Sequence, residues 1–394
     1  MGFDHDVHLA HFQLRNLLVG PTRDHIYYAG RAKVMHYTPT GSAPPKPASV
    51  VMDLTKSTVL PFHNHSRGIQ ISTLTAKHDV LVAGGFGGEY AMVNLRAPAD
   101  TKHTEGLLTY HHNAITNHVQ VHLSRTSSLP LATFASNDEW VRILDVSTNT
   151  LISERQYDCA INCTSISPDQ RLRVLVGDKE QVLICHAETG EILQQLDGHR
   201  DYGFACDWAD DGVTIATGNQ DMQVKIWDAR KWKHSSGKSS PVATISAEMA
   251  GVRQVKFSPL GSGKRVLMAA EPADFVNLID AETFTSKQTL NFFGEIAGAD
   301  FTNDGQDLMI ANSDAFIGGI MEFERCGLAI EASCGMEDQK RYLDRPTRAR
   351  LSTRPPGYDW KATDREVVEN PKSRGTQMQR RRRAANLGTT LEPF

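Results

Sequence analysis

The sequence predicts an all-β fold, because short apolar alternations separated by turn residues recur along most of the chain. In one stretch, three alternating runs cover Tyr202–Trp208, Val213–Thr217 and Gln223–Trp227, with clusters rich in Gly, Asn and Asp between them. Such alternation is typical of antiparallel strands joined by hairpins. Units of this kind that recur about every 40–45 residues predict a closed ring of sheets, a β-propeller.

The spacing of these units predicts seven blades between residues 14 and 325. The units begin near the following positions: Leu14, Gly68, Ala114, Cys159, Gly198, Ala250 and Glu295. Four-stranded sheets arranged around one axis leave only short, protected edges. Residues 1–13 are expected to form a solvated N-terminal arm. The sequence does not locate the strand that closes the ring, and a single closed ring predicts a monomer.

Charge divides the chain into an acidic body and a basic tail. The net charge is −4 over 394 residues, whereas residues 333–394 hold 14 Lys or Arg and 8 Asp or Glu. Residues 326–394 are predicted to be mostly disordered, because they contain few aliphatic residues that could offset the ordering entropy. The run Arg380, Arg381, Arg382 and Arg383 is a nuclear-import candidate or a solvated charge run. The acidic body argues against general nucleic-acid binding, since only the tail would attract phosphates.

Cysteine usage and hydropathy predict an intracellular protein. None of the six cysteines forms a C-x-x-C pair, and several lie inside strand-like runs. This usage indicates a reducing compartment rather than a disulfide framework. The N-terminus has no signal-peptide pattern, and no apolar run is long enough to cross a membrane. We expect cytoplasmic or nuclear localisation and no membrane partner.

The clearest unit opens with Gly198-His199 and closes with Trp227-Asp228, and it resembles the blades of WD-repeat proteins. The resemblance implies a seven-bladed WD-repeat β-propeller with a disordered basic C-terminal tail. It also implies that four side chains form a hydrogen-bonded structural tetrad: His199, Thr217, Asp221 and Trp227. The His, Asp and Thr could also suggest a hydrolase triad. The sequence lacks a G-x-S-x-G elbow, however, so the structural interpretation is preferred.

Further strings resemble a little-characterised family of fungal and plant WD-repeat proteins that carry a short domain of unknown function at the end of the propeller. These strings are Leu14–Leu17, Ser72–Leu74, Leu81–Phe86, Asn113–Asn117, Ala216–Asp221, Ala270–Phe275 and Phe293–Gly298. The resemblance implies a propeller without an established catalytic activity. The sequence departs from the repeat pattern at Leu144-Asp145 and Cys185-His186, which leaves tetrads in those blades in doubt.

Two other patterns could indicate a ligand. His5, His8 and His11 would share one face of a helix and could hold a metal, but no Cys or carboxylate framework accompanies them. The glycine-rich run Gly84–Gly88 could cradle a phosphate, but a strand rather than a helix follows it. We therefore predict no metal and no cofactor.

Three functions remain open. A non-catalytic protein-interaction scaffold is favoured, and acidic loops at Asp207–Asp211 and Asp300–Asp304 would attract basic partners. The alternative is a substrate receptor of a cullin–RING ubiquitin ligase. Ala216–Arg230 resembles the WDxR box of such receptors, so Asp228 and Arg230 would bind the ligase adaptor. The second alternative is an enzyme with a site in the central channel.

Overall fold

The computed structural model describes residues 7–39, 47–57, 59, 68–98, 101–314, 316, 318–325 and 360–362. In this part of the chain, strands and turns account for nearly all regular structure, and one 3₁₀ turn lies at Asn303–Gly305. The predicted all-β fold is confirmed.

The first three sheets are antiparallel and each has four strands. The first contains β1 (Leu18–Thr22), β2 (His25–Ala29), β3 (Lys33–Tyr37) and β4 (Ser49–Asp53). The second contains β5 (Ile71–Lys77), β6 (Val80–Gly85), β7 (Glu89–Asn94) and β8 (Thr104–Leu107). The third contains β9 (Thr116–Leu123), β10 (Pro130–Ser136), β11 (Trp140–Asp145) and β12 (Thr150–Gln156).

The fourth and fifth sheets repeat this plan, and the sixth is larger. The fourth contains β13 (Ile161–Ile166), β14 (Leu172–Gly177), β15 (Val182–His186) and β16 (Ile192–Leu196). The fifth contains β17 (Gly203–Trp208), β18 (Thr214–Asn219), β19 (Gln223–Asp228) and β20 (Ala243–Ser246). The sixth contains β21 (Gln254–Phe257), β22 (Val266–Ala270), β23 (Ala273–Asp280), β24 (Lys287–Thr302), β25 (Asp307–Asn312), β26 (Gly319–Arg325) and β27 (Trp360–Ala362).

The prediction of seven blades is wrong, because the described strands form six sheets and the last one has seven strands. The cause is β24, a 16-residue strand. Its first part pairs with β23 up to Glu295, and its second part pairs with β25 from Ile296 onward. No cluster of turn residues interrupts the sequence here. The chain instead bends at Gly294, where φ is +126°, and continues as a strand. The last two predicted units therefore share one strand.

The first strand of each four-stranded sheet lines the ring's axis, together with β21 and the second part of β24. Contacts run from β1 to β5 and onward through β9, β13, β17, β21 and β24. Side chains of these strands bond to the backbone of the next one. The donor and acceptor pairs are Ser72 Oγ to Thr116 O, Asn117 Nδ2 to Ile161 O, Asn162 Nδ2 to Gly203 O, and Gln254 Nε2 to Ala299 O.

The ring closes where β1 meets the second part of β24. The backbone N–H of Leu17 donates to Ala297 O at 3.1 Å. Gly298 allows this approach, because a Cβ there would lie 2.8 Å from the backbone nitrogen of Leu18. Asp300 Oδ2 accepts the N–H of Gly20 at 3.0 Å, and its other oxygen holds Lys256. The ring therefore closes by contact between β1 and β24, which belong to two different sheets.

The hydrophobic core lies between neighbouring sheets rather than in one central mass. Between the fourth and fifth sheets, for example, Val174 and Ile184 pack with Cys206, Trp208 and Trp227. The four described cysteines are buried free thiols, as the absence of paired spacing predicts. Each blade buries its faces on its two neighbours, so removing one blade would expose both.

Parts of both predicted terminal segments lie among the described residues. Val7 is buried among residues of the first sheet and the N–H of His8 donates to Ala29 O, whereas Phe12 is exposed. Within the segment predicted to be disordered, Trp360–Ala362 forms β27 and pairs with β26. The remainder of residues 326–394 lies outside the described residues.

We predict that Asp300→Asn destabilises the closure, whereas Asp304→Asn does not. The first change removes the charge that holds Lys256 and weakens the acceptor for Gly20, at a cost of about 1–3 kcal/mol. Asp304 is exposed, and its positive φ suits Asn, so the change there should stay within about 0.5 kcal/mol. Urea unfolding of both variants measures the difference. Equal stability of the two would contradict the proposed role of Asp300.

Candidate functional site

One end of the ring gathers two sets of loops. In an antiparallel blade, the loop before the first strand and the hairpin between the second and third strands lie at the same end. Backbone hydrogen bonds join the two sets, for example from Asn137 N to Ile115 O and from Gln220 N to Tyr202 O. This end is therefore a nearly continuous surface built from every blade.

That end also carries the exposed aromatic side chains of the described residues. Phe12, Tyr110, Tyr202 and Phe316 lie in these loops and Phe293 lies at the bend of β24, with 48–78% of each residue exposed. Met222 and Met249 lie there as well. The large exposed side chains elsewhere are aliphatic, and they lie on the outer strands or at the other end. We call the end that carries these seven residues the aromatic face, and the other end the opposite face.

Buried carboxylates fix the loops of the aromatic face. Glu271 is fully buried and accepts the backbone N–H groups of Glu248, Met249 and Ala250 at 2.6–2.9 Å. Glu89 accepts the N–H of Gly87 in the glycine-rich hairpin, and burial raises its pKa. Charge-assisted bonds therefore hold these two loops, one of which carries Met249.

A cavity of about 180 Å³ occupies the axis of the ring. Asp207 lies in its wall and accepts N–H groups from Trp208 at 3.0 Å and Phe257 at 2.8 Å. Burial raises the pKa of Asp207 to about 6, against the effect of these bonds. Lys256 faces the same cavity. Burial opposes its charge, but the hydrogen bond to Asp300 and the attraction of Asp300, Asp207 and Asp210 together raise the pKa of Lys256.

Arg253 lines the end of this cavity nearest the aromatic face, which we call the mouth of the cavity, and Arg15 lies near Arg253. Arg15 and Arg253 are 4% and 7% exposed. Arg253 lines the cavity, and its guanidinium carbon stands 4.0 Å from the centre of the Phe204 ring. We call these two residues the arginine pair. Neither the arginine pair nor the aromatic face is predictable from the sequence, because isolated Arg and Phe residues in loops carry no spacing signal.

The acidic loops expected to attract basic partners are partly used inside the molecule. Asp207 and Asp300 lie in the cavity wall, as described above. Asp211 accepts from Thr214 and pairs with Arg265 at 2.9 Å. Asp210 and Asp304 are exposed, so the recruitment of a basic protein by these loops stays a prediction.

The four residues of the predicted tetrad lie together and form one chain of hydrogen bonds. The indole N–H of Trp227 donates to Thr217 Oγ1 at 2.9 Å, and the Thr217 hydroxyl donates to His199 Nε2 at 2.9 Å. His199 Nδ1 donates to Asp221 at 3.0 and 3.2 Å. Burial lowers the pKa of His199, although Asp221 opposes this, so the ring is neutral at pH 7.

The blades that depart from the repeat pattern contain different networks. In the third sheet, Arg142 forms two bonds to Asp138, at 2.7 and 3.0 Å, in the hairpin where Asp221 stands in the fifth. Arg173 of the fourth sheet is buried and donates to His122 and Thr133. Burial, and then Arg173, lowers the pKa of His122 to about 4. In these two blades an arginine thus makes the main polar contacts, whereas in the fifth blade His199 and Trp227 make them.

Asp228 and Arg230 lie away from the aromatic face, in the turn that follows β19. Arg230 Nε and Nη2 donate to the two carboxylate oxygens of Asp228 at 2.9 and 2.7 Å. The Arg230 side chain is 72% exposed. The carboxylate therefore holds the guanidinium in a fixed orientation at the surface.

The other predicted sites are not assembled in the described residues. Arg380–Arg383 and His5 lie outside them, and His11 stacks on Phe12. Among the described residues, no group of three or more His, Cys, Asp or Glu side chains is placed to hold a metal ion. The described part of the chain also contains no helix with the length and apolar character that a membrane span requires.

The fold is that of a β-propeller, and one of its units is similar to a WD repeat. The WD40 family (WD domain, G-beta repeat) matches residues 190–228, the unit that contains the tetrad. A solved chain from the crystal structure of a mitotic checkpoint complex superimposes with a TM-score of 0.62 and 16% identity. That comparison covers 80% of this chain and 88% of the other.

Two relatives cover most of the ring. "Uncharacterized protein C4G3.03" of Schizosaccharomyces pombe is 24% identical over 259 residues, which are 61% of this chain and 71% of that protein. "WD repeat-containing protein ATCSA-1" of Arabidopsis thaliana is 21% identical over 309 residues, or 66% of this chain and 67% of that one. The chain is therefore similar to fungal and plant proteins, in agreement with the family resemblance in the sequence.

We predict that Thr217→Val destabilises the protein by about 2–4 kcal/mol, because it leaves the Trp227 N–H and the His199 Nε2 buried without partners. Val has nearly the same shape as Thr, so packing changes little. Thr150→Val, at an exposed position of β12, is the control and should stay within about 0.5 kcal/mol. Thermal and urea unfolding measure both. A Thr217→Val protein as stable as the control would show that the tetrad does not fasten the blade.

Proposed function

We propose that this protein is a non-catalytic scaffold that binds a partner protein on its aromatic face. The observation that carries this is the confinement of all five exposed aromatic side chains of the described residues to one end of the ring. Aromatic and Met side chains are enriched at the centres of protein interfaces, where they supply large contact areas. Exposed apolar clusters of this kind mark interaction sites on soluble proteins.

The rigidity of the surface also supports a binding role. The carboxylates of Glu271 and Glu89 accept backbone N–H groups from two loops of the aromatic face. These loops are already ordered, so little conformational entropy is lost there when a partner docks. The propeller class is consistent with this, since WD-repeat rings commonly present loops to protein partners.

Cavity chemistry favours a scaffold over an enzyme. Asp207 receives two backbone N–H groups, and Lys256 is paired with Asp300. A general base or nucleophile must be able to contact a substrate atom, whereas Asp207 and Lys256 are already bonded to other groups of the cavity wall. The tetrad is likewise closed on itself, with His199 only 4% exposed.

We predict that the triple variant Tyr202→Ser, Met249→Ser, Phe293→Ser co-purifies with at least tenfold less partner protein than the wild-type protein does. The reason is that the three changes remove apolar contact area. All three side chains are exposed, so folding should be unaffected. Leu129→Ser, Leu260→Ser on the opposite face is the matched control. Quantitative mass spectrometry of affinity-purified protein from the native cell measures both. Retention of every partner by the triple variant would overturn the proposal.

A second candidate function is supported by the geometry of Asp228 and Arg230. An exposed guanidinium held in place by a neighbouring carboxylate is preorganised for contact with another protein. We propose it as the contact for a ubiquitin-ligase adaptor, on a different part of the ring from the aromatic face.

For this candidate, Arg230→Ala should remove an adaptor and the cullin from the purified complex and leave the partner of the aromatic face in place. The guanidinium makes its side-chain bonds only within the Asp228–Arg230 turn, so stability should change little. Arg171→Ala, another exposed arginine, is the control. An unchanged set of co-purifying proteins would rule out the adaptor contact.

A further inference from the structure

Arg253 has more hydrogen-bond donors than partners. Its Nη2 donates to Gln220 Oε1 at 2.6 Å, while Nε and Nη1 are buried and have no partner among the described residues. No carboxylate in that part of the chain forms a salt bridge with it; Asp201 lies near but caps the N–H of Tyr202. A buried guanidinium normally has an anion beside it, because leaving its donors unpaired is costly.

Arg15 adds a second positive charge at the same place. Its Nε donates to Phe12 O at 2.9 Å and its Nη1 to Ile296 O at 3.2 Å. The exposed Glu295 stands 3.9 Å away, too far for a good hydrogen bond. Burial, and then the repulsion of Arg15, lowers the pKa of Arg253 to about 10. An anion between the two cations would offset this repulsion.

Gln220 shows how such an anion could reach Arg253. Gln220 lies in the exposed hairpin between β18 and β19, and its neutral amide oxygen occupies the outer side of the guanidinium. A carboxylate oxygen that displaced this amide would turn a neutral hydrogen bond into a charge-assisted one, which is roughly twice as strong.

The surroundings define the occupant. Tyr202, Met249 and Phe293 supply exposed apolar area on the same face, so a segment that reaches the arginine pair would also cover them. We propose that the mouth of the cavity binds the carboxylate of an aspartate or glutamate, flanked by apolar residues, in an extended segment of a partner protein, with Arg253 as the recognition residue. This rests on the proposed function and names the chemistry of its partner. The basic segment 333–394 of this chain has the wrong charge for the role.

A random peptide phage library selected against the full-length protein tests the proposal. Enriched peptides should carry one Asp or Glu next to aromatic or aliphatic residues. Replacing that acid by Asn or Gln should weaken binding at least tenfold, as measured by fluorescence polarisation. Peptides that bind through a free C-terminal carboxylate, uncharged apolar peptides, or peptides matching this chain's own sequence would each overturn it.

Protein variants locate the contact. Arg253→Gln should weaken binding of the selected peptide at least tenfold, while Arg171→Gln at an exposed site should leave the binding unchanged. Gln220→Glu provides a second route if Arg253→Gln does not fold. Its carboxylate should pair with Arg253, raise the melting temperature and exclude the peptide, whereas Gln220→Ala should bind at least as tightly as wild type. Undiminished peptide binding by Gln220→Glu would overturn the proposal.

A failure of the carboxylate contact can be distinguished from a failure of the scaffold proposal. If Arg253→Gln keeps the co-purified partner but the triple variant of the aromatic face loses it, the scaffold stands and the carboxylate contact is rejected. If the triple variant also keeps every partner, the scaffold proposal itself is rejected.

Discussion

Closure of the ring between β1 and β24 is the constraint on which the remaining structure depends. The sheets have little core of their own, because each face is covered by the neighbouring sheet. An open ring would expose the first and last faces to water. Gly298 makes closure possible by letting the β1 backbone approach, and Asp300 ties β1 to β21 across the joint. The surface formed by the loops keeps its shape only while this contact holds.

Once the ring is closed, its polar groups fall into two kinds. In the tetrad, each donor has an acceptor, and the neutral His199 completes a chain from Trp227 to Asp221. Such a network can fasten a blade but has no capacity left for a ligand. Arg253 differs from these residues, because it is also buried but two of its donor atoms have no partner among the described residues. The difference in hydrogen-bond satisfaction, rather than residue type, separates the fasteners from the candidate binding group.

Several elements were predictable because their signals are local. Strand β19 at Gln223–Asp228 coincides with the predicted run Gln223–Trp227, since turn residues precede a clear alternation there. The tetrad residues also come together as the repeat resemblance implies. The six-sheet arrangement was not predicted. The sequence around Phe293 and Gly294 reads as a boundary between units, and only the pairing of β24 with both neighbours reveals a continuous strand.

The sequence by itself determined the all-β class, the positions of most strands and the four residues that bond to one another in the fifth blade, because alternation and turn chemistry act over a few residues. Tertiary structure alone decided which loops share a face, so that aromatic residues far apart in the chain form one surface. It also decided that Asp207 and Asp300 face the cavity while Arg253 lacks a counterion. Burial and pairing depend on contacts between distant blades, and a linear pattern carries no record of those contacts.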